Sequence, residues 1–124
     1  MPPPTLNPAR LSGVKKLSSL LLVVFLAFVS GCGSSAPSEV TVNISLKDGK
    51  VTPSGEAVSV AKGGKVTLVV ETDKEDIIHV HGHGIEREVK PGETTTIEFT
   101  ADKVGRWEIE SHSPALLIVK LSVT

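Results

Sequence analysis

Short runs in which apolar residues alternate with polar ones dominate the sequence from residue 40 onward, and residues 40–46 (VTVNISL) show the pattern most clearly. Side chains of a β-strand point alternately to its two faces, so this period predicts strands with one buried face. Turn-forming residues separate eight such runs, which are residues 40–46, 57–60, 66–71, 77–81, 85–89, 94–100, 106–110 and 116–123. Seven or eight short strands at this spacing predict an all-β Greek-key sandwich or small barrel that occupies residues 40–124.

The first 31 residues have the organisation of an export signal. Arg10, Lys15 and Lys16 form a basic region, and residues 17–29 are an apolar run of thirteen residues interrupted only by two serines. A membrane-spanning helix needs about 20 apolar residues, so this run is short for one. We therefore predict a cleaved signal peptide over residues 1–31, and a short anchor that is never cleaved is the alternative.

Small residues lead directly to the only cysteine of the chain, in the sequence Val29-Ser30-Gly31-Cys32. These four residues resemble the bacterial lipobox, which implies that Cys32 carries a covalent lipid and becomes the mature N-terminus. Acyl chains contribute about 0.8 kcal/mol per buried CH₂, so several of them would hold a small domain at a membrane. Residues 32–39 would be the lipidated cysteine and a flexible tether. The expected location is extracytoplasmic, on the outer face of the plasma membrane or in the periplasm or outer membrane.

The charge and the aromatic content of the mature chain argue against several classes of partner. Residues 32–124 carry ten of the thirteen basic residues and all fourteen acidic ones, which gives a net charge of −4 with neutral histidines. Nucleic acid binding needs a positive field, so we expect no nucleic acid partner. Phe99 and Trp107 are the only aromatic residues apart from histidine after residue 32, which also disfavours stacking platforms for bases or sugars.

Four pieces of the folded part occur in an order that resembles the cupredoxin superfamily. They are VSVAKGGKV at 58–66, DIIH at 76–79, PGE at 91–93 before a Thr-rich strand, and VGRW at 104–107. The likeness is to the domains of cytochrome oxidase subunit II and of EfeO-like periplasmic proteins. It implies a cupredoxin-like β-sandwich or barrel.

The residues that form a blue copper centre are missing from their expected positions. In blue copper proteins a cysteine lies four positions after the aromatic residue, and a histidine and a methionine follow. Here Ser111 and His112 come first, and Leu116 and Leu117 stand where a methionine is expected. Since such a centre depends on its copper–thiolate bond, we do not expect blue copper electron transfer. No catalytic constellation is visible in the sequence, and we predict that the protein is not an enzyme.

The histidines are the best candidates for a binding site. His79 stands where the family places its first metal ligand, and His81 and His83 follow at alternate positions. Residues i and i+2 of a strand share a face, and His112 lies in a loop expected at the same end of the sandwich. Neutral imidazole suits Cu(II) and Zn(II). We predict a site of this kind, for metal capture or delivery, formed by His79, His81 and His112 with His83 as a further ligand.

The neighbours of these histidines leave two interpretations open. Where a metal is bound, Glu86, Glu110 or Asp76 would orient a ring N–H. Where Ile78 and Val80 face the core, the histidines of the same strand point to solvent and need no ligand. The domain would then be a metal-free interaction or structural module that docks onto a membrane-protein partner in an envelope complex.

Overall fold

The alternating runs form nine β-strands in the computed structural model, which describes residues 33 and 35–124. They are β1 (Glu39–Lys47), β2 (Lys50–Thr52), β3 (Glu56–Val60), β4 (Gly64–Thr72), β5 (Asp76–Val80), β6 (Ile85–Val89), β7 (Thr94–Ala101), β8 (Gly105–His112) and β9 (Ala115–Val123). The predicted all-β class is confirmed. The predicted signal peptide over residues 1–31 and the lipidation of Cys32 lie outside the described residues. Within the described residues, no helix is long and apolar enough to cross a membrane.

The strands form two sheets that share one hydrophobic core. The first sheet has the order β2-β1-β4-β7, and the second has the order β3-β9-β8-β5-β6. β1 pairs with β4 and β3 pairs with β9 in parallel, whereas the other pairs within the sheets are antiparallel. Strand β5 therefore lies between β8 and β6, and this arrangement determines which side chains surround its histidines.

Strand β2 is the one strand that the alternation did not predict. It has only three residues, too few to show a period, and it pairs with the end of β1 across a turn at Asp48 and Gly49. Both turn residues have positive φ, at 53° and 71°. Aspartate and glycine adopt this backbone region more readily than most other residues, which explains why the chain reverses here.

The core consists of the inward-facing residues of both sheets, and these residues are nearly all aliphatic. Among residues 33 and 35–124, eighteen hydrophobic side chains are buried, and the largest that are fully buried are Leu68, Ile78, Ile97, Ile109, Ile118 and Leu121. In strand β4 the burial alternates strictly, as the period of two requires. Each fully buried Leu, Ile or Val side chain contributes about 1.5–3 kcal/mol to folding, so this core is the main source of stability.

The end of the predicted tether is joined to the sandwich. The carbonyl of Pro37 accepts a hydrogen bond from the N–H of Ala61 at 2.8 Å, and the carbonyl of Ser38 accepts one from the N–H of Lys65 at 2.9 Å. Strand β1 then begins at Glu39. The free part of the predicted 32–39 tether is accordingly shorter than the sequence suggested, because backbone pairing of this kind leaves no local sequence pattern.

Candidate functional site

The alternation of β5 places its histidines on the outer face of the five-stranded sheet. Ile78 and Val80 have no exposed surface and belong to the core, whereas His79 and His81 are partly exposed on the opposite side. The register of the sheet sets His79 opposite Glu110 of β8. Cross-strand partners share a face, so histidine and carboxylate side chains meet on this surface.

Three of the four predicted ligand histidines lie together on this surface. The ring centroids of His79 and His81 are 4.0 Å apart with the planes tilted by 36°, and those of His79 and His112 are 5.5 Å apart with the planes nearly perpendicular. Two imidazoles that bind one ion through bonds of about 2.0–2.1 Å have centroids roughly 4.5–5.3 Å apart. The first pair is slightly closer than this range and the second is slightly wider.

His83 is not part of this cluster. Its side chain is only 3% exposed, and its ring packs against Phe99 and Trp107 with centroid distances of 5.1 Å and 5.9 Å. The strand period that predicted a shared face ends before His83, because Gly82 turns the backbone with φ of 76°. Its Nε2 is buried without a hydrogen-bond partner, and the nearest carboxylate oxygen, from Asp102, is 3.8 Å away. The structure therefore sets the ring of His83 apart from the other three histidine rings.

Two of the three expected carboxylates have clear roles, but only one of them contacts a ring. Oε2 of Glu110 lies 3.0 Å from Nε2 of His81. Asp76 instead accepts backbone N–H groups through Oδ1, from His112 at 3.0 Å and from Ser113 at 2.9 Å. Asp76 thus holds the end of β8, where His112 lies, and the turn that follows it, a role that no local sequence pattern indicates. Glu86 stands opposite His79 in the register and is exposed.

Ser111 stands at the position of the blue copper cysteine, and its hydroxyl group already has a hydrogen-bond partner. Ser111 has no exposed surface, and its hydroxyl donates a hydrogen bond to the carbonyl of Pro114 at 2.8 Å. Because Ser111 and His112 are adjacent on β8, Ser111 faces the opposite side of the sheet from the histidine cluster. The donor set of a blue copper centre does not fit the described residues, 33 and 35–124, because they contain neither a cysteine nor a methionine.

In residues 33 and 35–124, no group of three or more His, Cys, Asp or Glu side chains is already arranged to hold a metal ion. His79 contacts both of the other rings, whereas no ring contact joins His81 to His112 in this part of the chain. One ion bound by all three imidazoles would therefore require rotation of side chains.

Comparison with known proteins agrees with the architecture. The sequence model of the family described as "Cupredoxin-like domain" matches residues 19–114. A search of curated proteins finds no match.

Solved structures also share the fold. A heme-copper terminal oxidase dimer matches with 16% identity and a TM-score of 0.54, over 87% of this chain and 95% of that chain. The metal-binding domain of the Cu(I)-exporting P-type ATPase CopA from Streptococcus pneumoniae D39 matches with 18% identity and a TM-score of 0.55, over 73% and 91%. A copper binding protein in its apo form matches with 18% identity and a TM-score of 0.51, over 73% and 92%. At these identities the likeness shows a common fold.

Proposed function

Since the chain belongs to the cupredoxin-like domain family, we propose that it is an extracytoplasmic metal-binding protein, held at a membrane by a lipid on Cys32. Its ligand is a divalent copper or zinc ion, bound by His79, His81 and His112 on the outer face of the five-stranded sheet. Its role is capture or delivery of the ion and not catalysis.

The observation that carries this proposal is the convergence of imidazoles from two distant segments. His112 stands at the end of β8, and its ring meets that of His79 of β5 edge to face with a centroid distance of 5.5 Å. His81 adds a third ring at 4.0 Å from His79. An ion shared by three histidines requires their rings to lie close together, and His79 contacts both of the others.

The donor set indicates which ions fit. Imidazole nitrogen binds Cu(II) and Zn(II) well, and Cu(II) has the highest affinity among the divalent first-row ions. The soft donors that favour Cu(I) are missing from the mature chain, since Met1 belongs to the predicted signal peptide and Cys32 would be lipidated. We therefore propose a divalent ion and no role in blue copper electron transfer.

The charge beside the histidines favours a cation. A shallow concavity of about 520 Å³ next to the cluster is lined by acidic residues that include Glu75, Glu86 and Glu88. Clefts lined with one sign of charge raise the local concentration of the opposite ion. Two structural neighbours are named as copper proteins, and they support the same class of ligand. At 18% identity, their likeness to this chain is a likeness of fold.

Calorimetric titration of the full-length protein in detergent micelles tests the proposal. We expect saturable binding of one Cu(II) or Zn(II) with a Kd below about 10 μM, or nearly −7 kcal/mol. His79→Ala should weaken binding at least tenfold because its ring contacts both of the others. His83→Leu is the matched control, since its ring lies outside the cluster, and should bind like the wild type. Absence of saturable binding, or equal affinity of the His79→Ala variant, would overturn the proposal.

A metal-free interaction module is the second candidate. It is favoured by the finding that the described residues contain no ligand group already arranged for an ion, and by the exposed side chain of Ile77 beside the histidines, at 39%. This candidate predicts the same melting temperature with and without metal. It also predicts that one specific membrane-protein partner co-purifies from detergent extracts.

A further inference from the structure

We infer that Glu110 is a positioning residue, which fixes the tautomer of His81 so that Nδ1, and not Nε2, is the metal-binding atom. This inference rests on the proposed function and specifies one bond within it. It concerns two side chains from neighbouring strands, β5 and β8.

The hydrogen bond between the two side chains determines where the proton resides. Nε2 of His81 and Oε2 of Glu110 are 3.0 Å apart. An ionised carboxylate has only acceptor atoms, so Nε2 must supply the hydrogen. In a neutral imidazole the other nitrogen then carries the free lone pair. The lone pair available to a metal is therefore on Nδ1.

The fold places these side chains together independently of any metal. The β5–β8 register sets Glu110 opposite His79, and the backbone N–H of His81 extends the pairing by donating to the carbonyl of Glu108 at 3.0 Å. Both side chains are partly buried, with 42% of His81 and 30% of Glu110 exposed. Partial burial strengthens the contact relative to one in open solvent.

A carboxylate in this position is a common partner of a metal-binding histidine. Metal-bound imidazoles usually donate their second N–H to a carboxylate or a carbonyl, which fixes the ring and makes the ligand more basic. Loss of such a partner typically lowers metal affinity by 10–100-fold. The contact with Glu110 orients the ring of His81 in the same way.

Glu108 provides a matched comparison on the same strand. It shares the outer face with Glu110 and lines a depression beside His81. Among the hydrogen bonds of the described residues, however, none joins Glu108 to a histidine ring. A general effect of negative charge would appear in variants of both residues, whereas a positioning effect would appear only in variants of Glu110.

Imidazole ¹⁵N NMR on the full-length protein in micelles tests the inference in two states. Without metal, we expect His81 to carry its proton on Nε2, and Glu110→Ala should return the ring to a mixture of tautomers. With Zn(II), we expect the Nδ1 resonance of His81 to show the coordination shift. Glu110→Ala should weaken Zn(II) binding 10–100-fold. Glu110→Gln should weaken it less, because its amide oxygen still accepts the hydrogen bond from His81. Glu108→Gln should weaken it less than twofold.

The outcomes separate this inference from the function on which it rests. Zinc binding through Nε2 of His81, or equal affinity of Glu110→Ala and wild type, would overturn the inference and leave the metal-binding function standing. Failure of the wild type to bind Zn(II) or Cu(II) would overturn both. A Glu110→Ala variant that is unfolded by NMR is replaced by Glu110→Gln. A loss of affinity larger than that of Glu108→Gln, with the proton still on Nε2 of His81, supports the inference, and a loss no larger than that of Glu108→Gln overturns it.

Discussion

The carboxylate of Asp76 and the backbone N–H of His112 are 36 residues apart in the chain, but only 3.0 Å separate their hydrogen-bonding atoms. Asp76 is the first residue of β5 and is only 4% exposed. Its Oδ1 also accepts the N–H groups of Ile77 at 2.7 Å and Ser113 at 2.9 Å. One oxygen thereby joins the strand that carries His79 to the turn that follows β8.

Replacement of Asp76 should destabilise the domain and separate the two parts of the site. Hydrogen bonds to a charged group contribute about 1.5–3 kcal/mol each. We expect Asp76→Ala to lower the free energy of unfolding by about 3 kcal/mol and to weaken metal binding, because the turn at His112 loses its support. Asp76→Asn keeps an acceptor oxygen and should lose about half as much. Urea unfolding measures both, and a loss below about 0.5 kcal/mol in Asp76→Ala would contradict this role.

The strands could be predicted from the alternation of residue types along the chain. Side-chain contacts between distant segments could not be identified in this way. Alternation located eight strands and placed the rings of β5 away from the core, because neighbouring side chains of a strand alternate between faces whatever the tertiary context. The role of Asp76 arises from a backbone partner 36 residues away, which no local pattern indicates. The sequence named Glu110 as one of three carboxylates that would orient a histidine ring, but its contact with His81 spans 29 residues and could not be singled out. The sequence did not predict that His83 packs against Phe99 and Trp107. The alternation of a strand does not continue through Gly82, because this residue has positive φ.

Gly82 should be far less tolerant of substitution than Gly84, although both have positive φ, at 76° and 63°. A Cβ atom at Gly82 would overlap the indole ring of Trp107, whereas one at Gly84 would meet open space. We expect Gly84→Ala to cost about 1–2 kcal/mol through backbone strain alone, and Gly82→Ala about 3 kcal/mol or more because overpacking adds to it. The fluorescence of Trp107, the only tryptophan, follows unfolding of both variants. Equal losses would show that the indole can move aside.

His83 should be replaceable by an apolar residue with little effect on stability. Its buried Nε2 is the one side-chain N or O atom of the described residues that is both fully buried and without a partner. Removal of an unsatisfied polar group offsets the loss of the long 3.3 Å contact between Nδ1 and the carbonyl of His81. We expect His83→Leu to lie within about 1 kcal/mol of wild type in urea unfolding. His83→Asn, which buries a polar group in the same apolar surroundings, should cost about 1–3 kcal/mol. A large loss in the leucine variant would reveal a polar role for His83.

Lipidation at Cys32 would hold one end of the sandwich close to the bilayer. The carbonyls of Pro37 and Ser38 accept hydrogen bonds from Ala61 and Lys65, so five residues, 32–36, separate the lipidated position from the sandwich. A chain of this length spans at most about 18 Å. Val104 lies near the end of the sandwich at which β1 begins, and it is 62% exposed. Lys50 pairs with Lys47 at the other end of β1, and the nine residues of this strand span about 30 Å. In vesicles with spin-labelled headgroups, we expect strong quenching of a fluorophore at Val104→Cys and weak quenching at Lys50→Cys. Cys32→Ser, added to each variant, should abolish the quenching, and equal quenching at both positions in the lipidated protein would contradict this orientation.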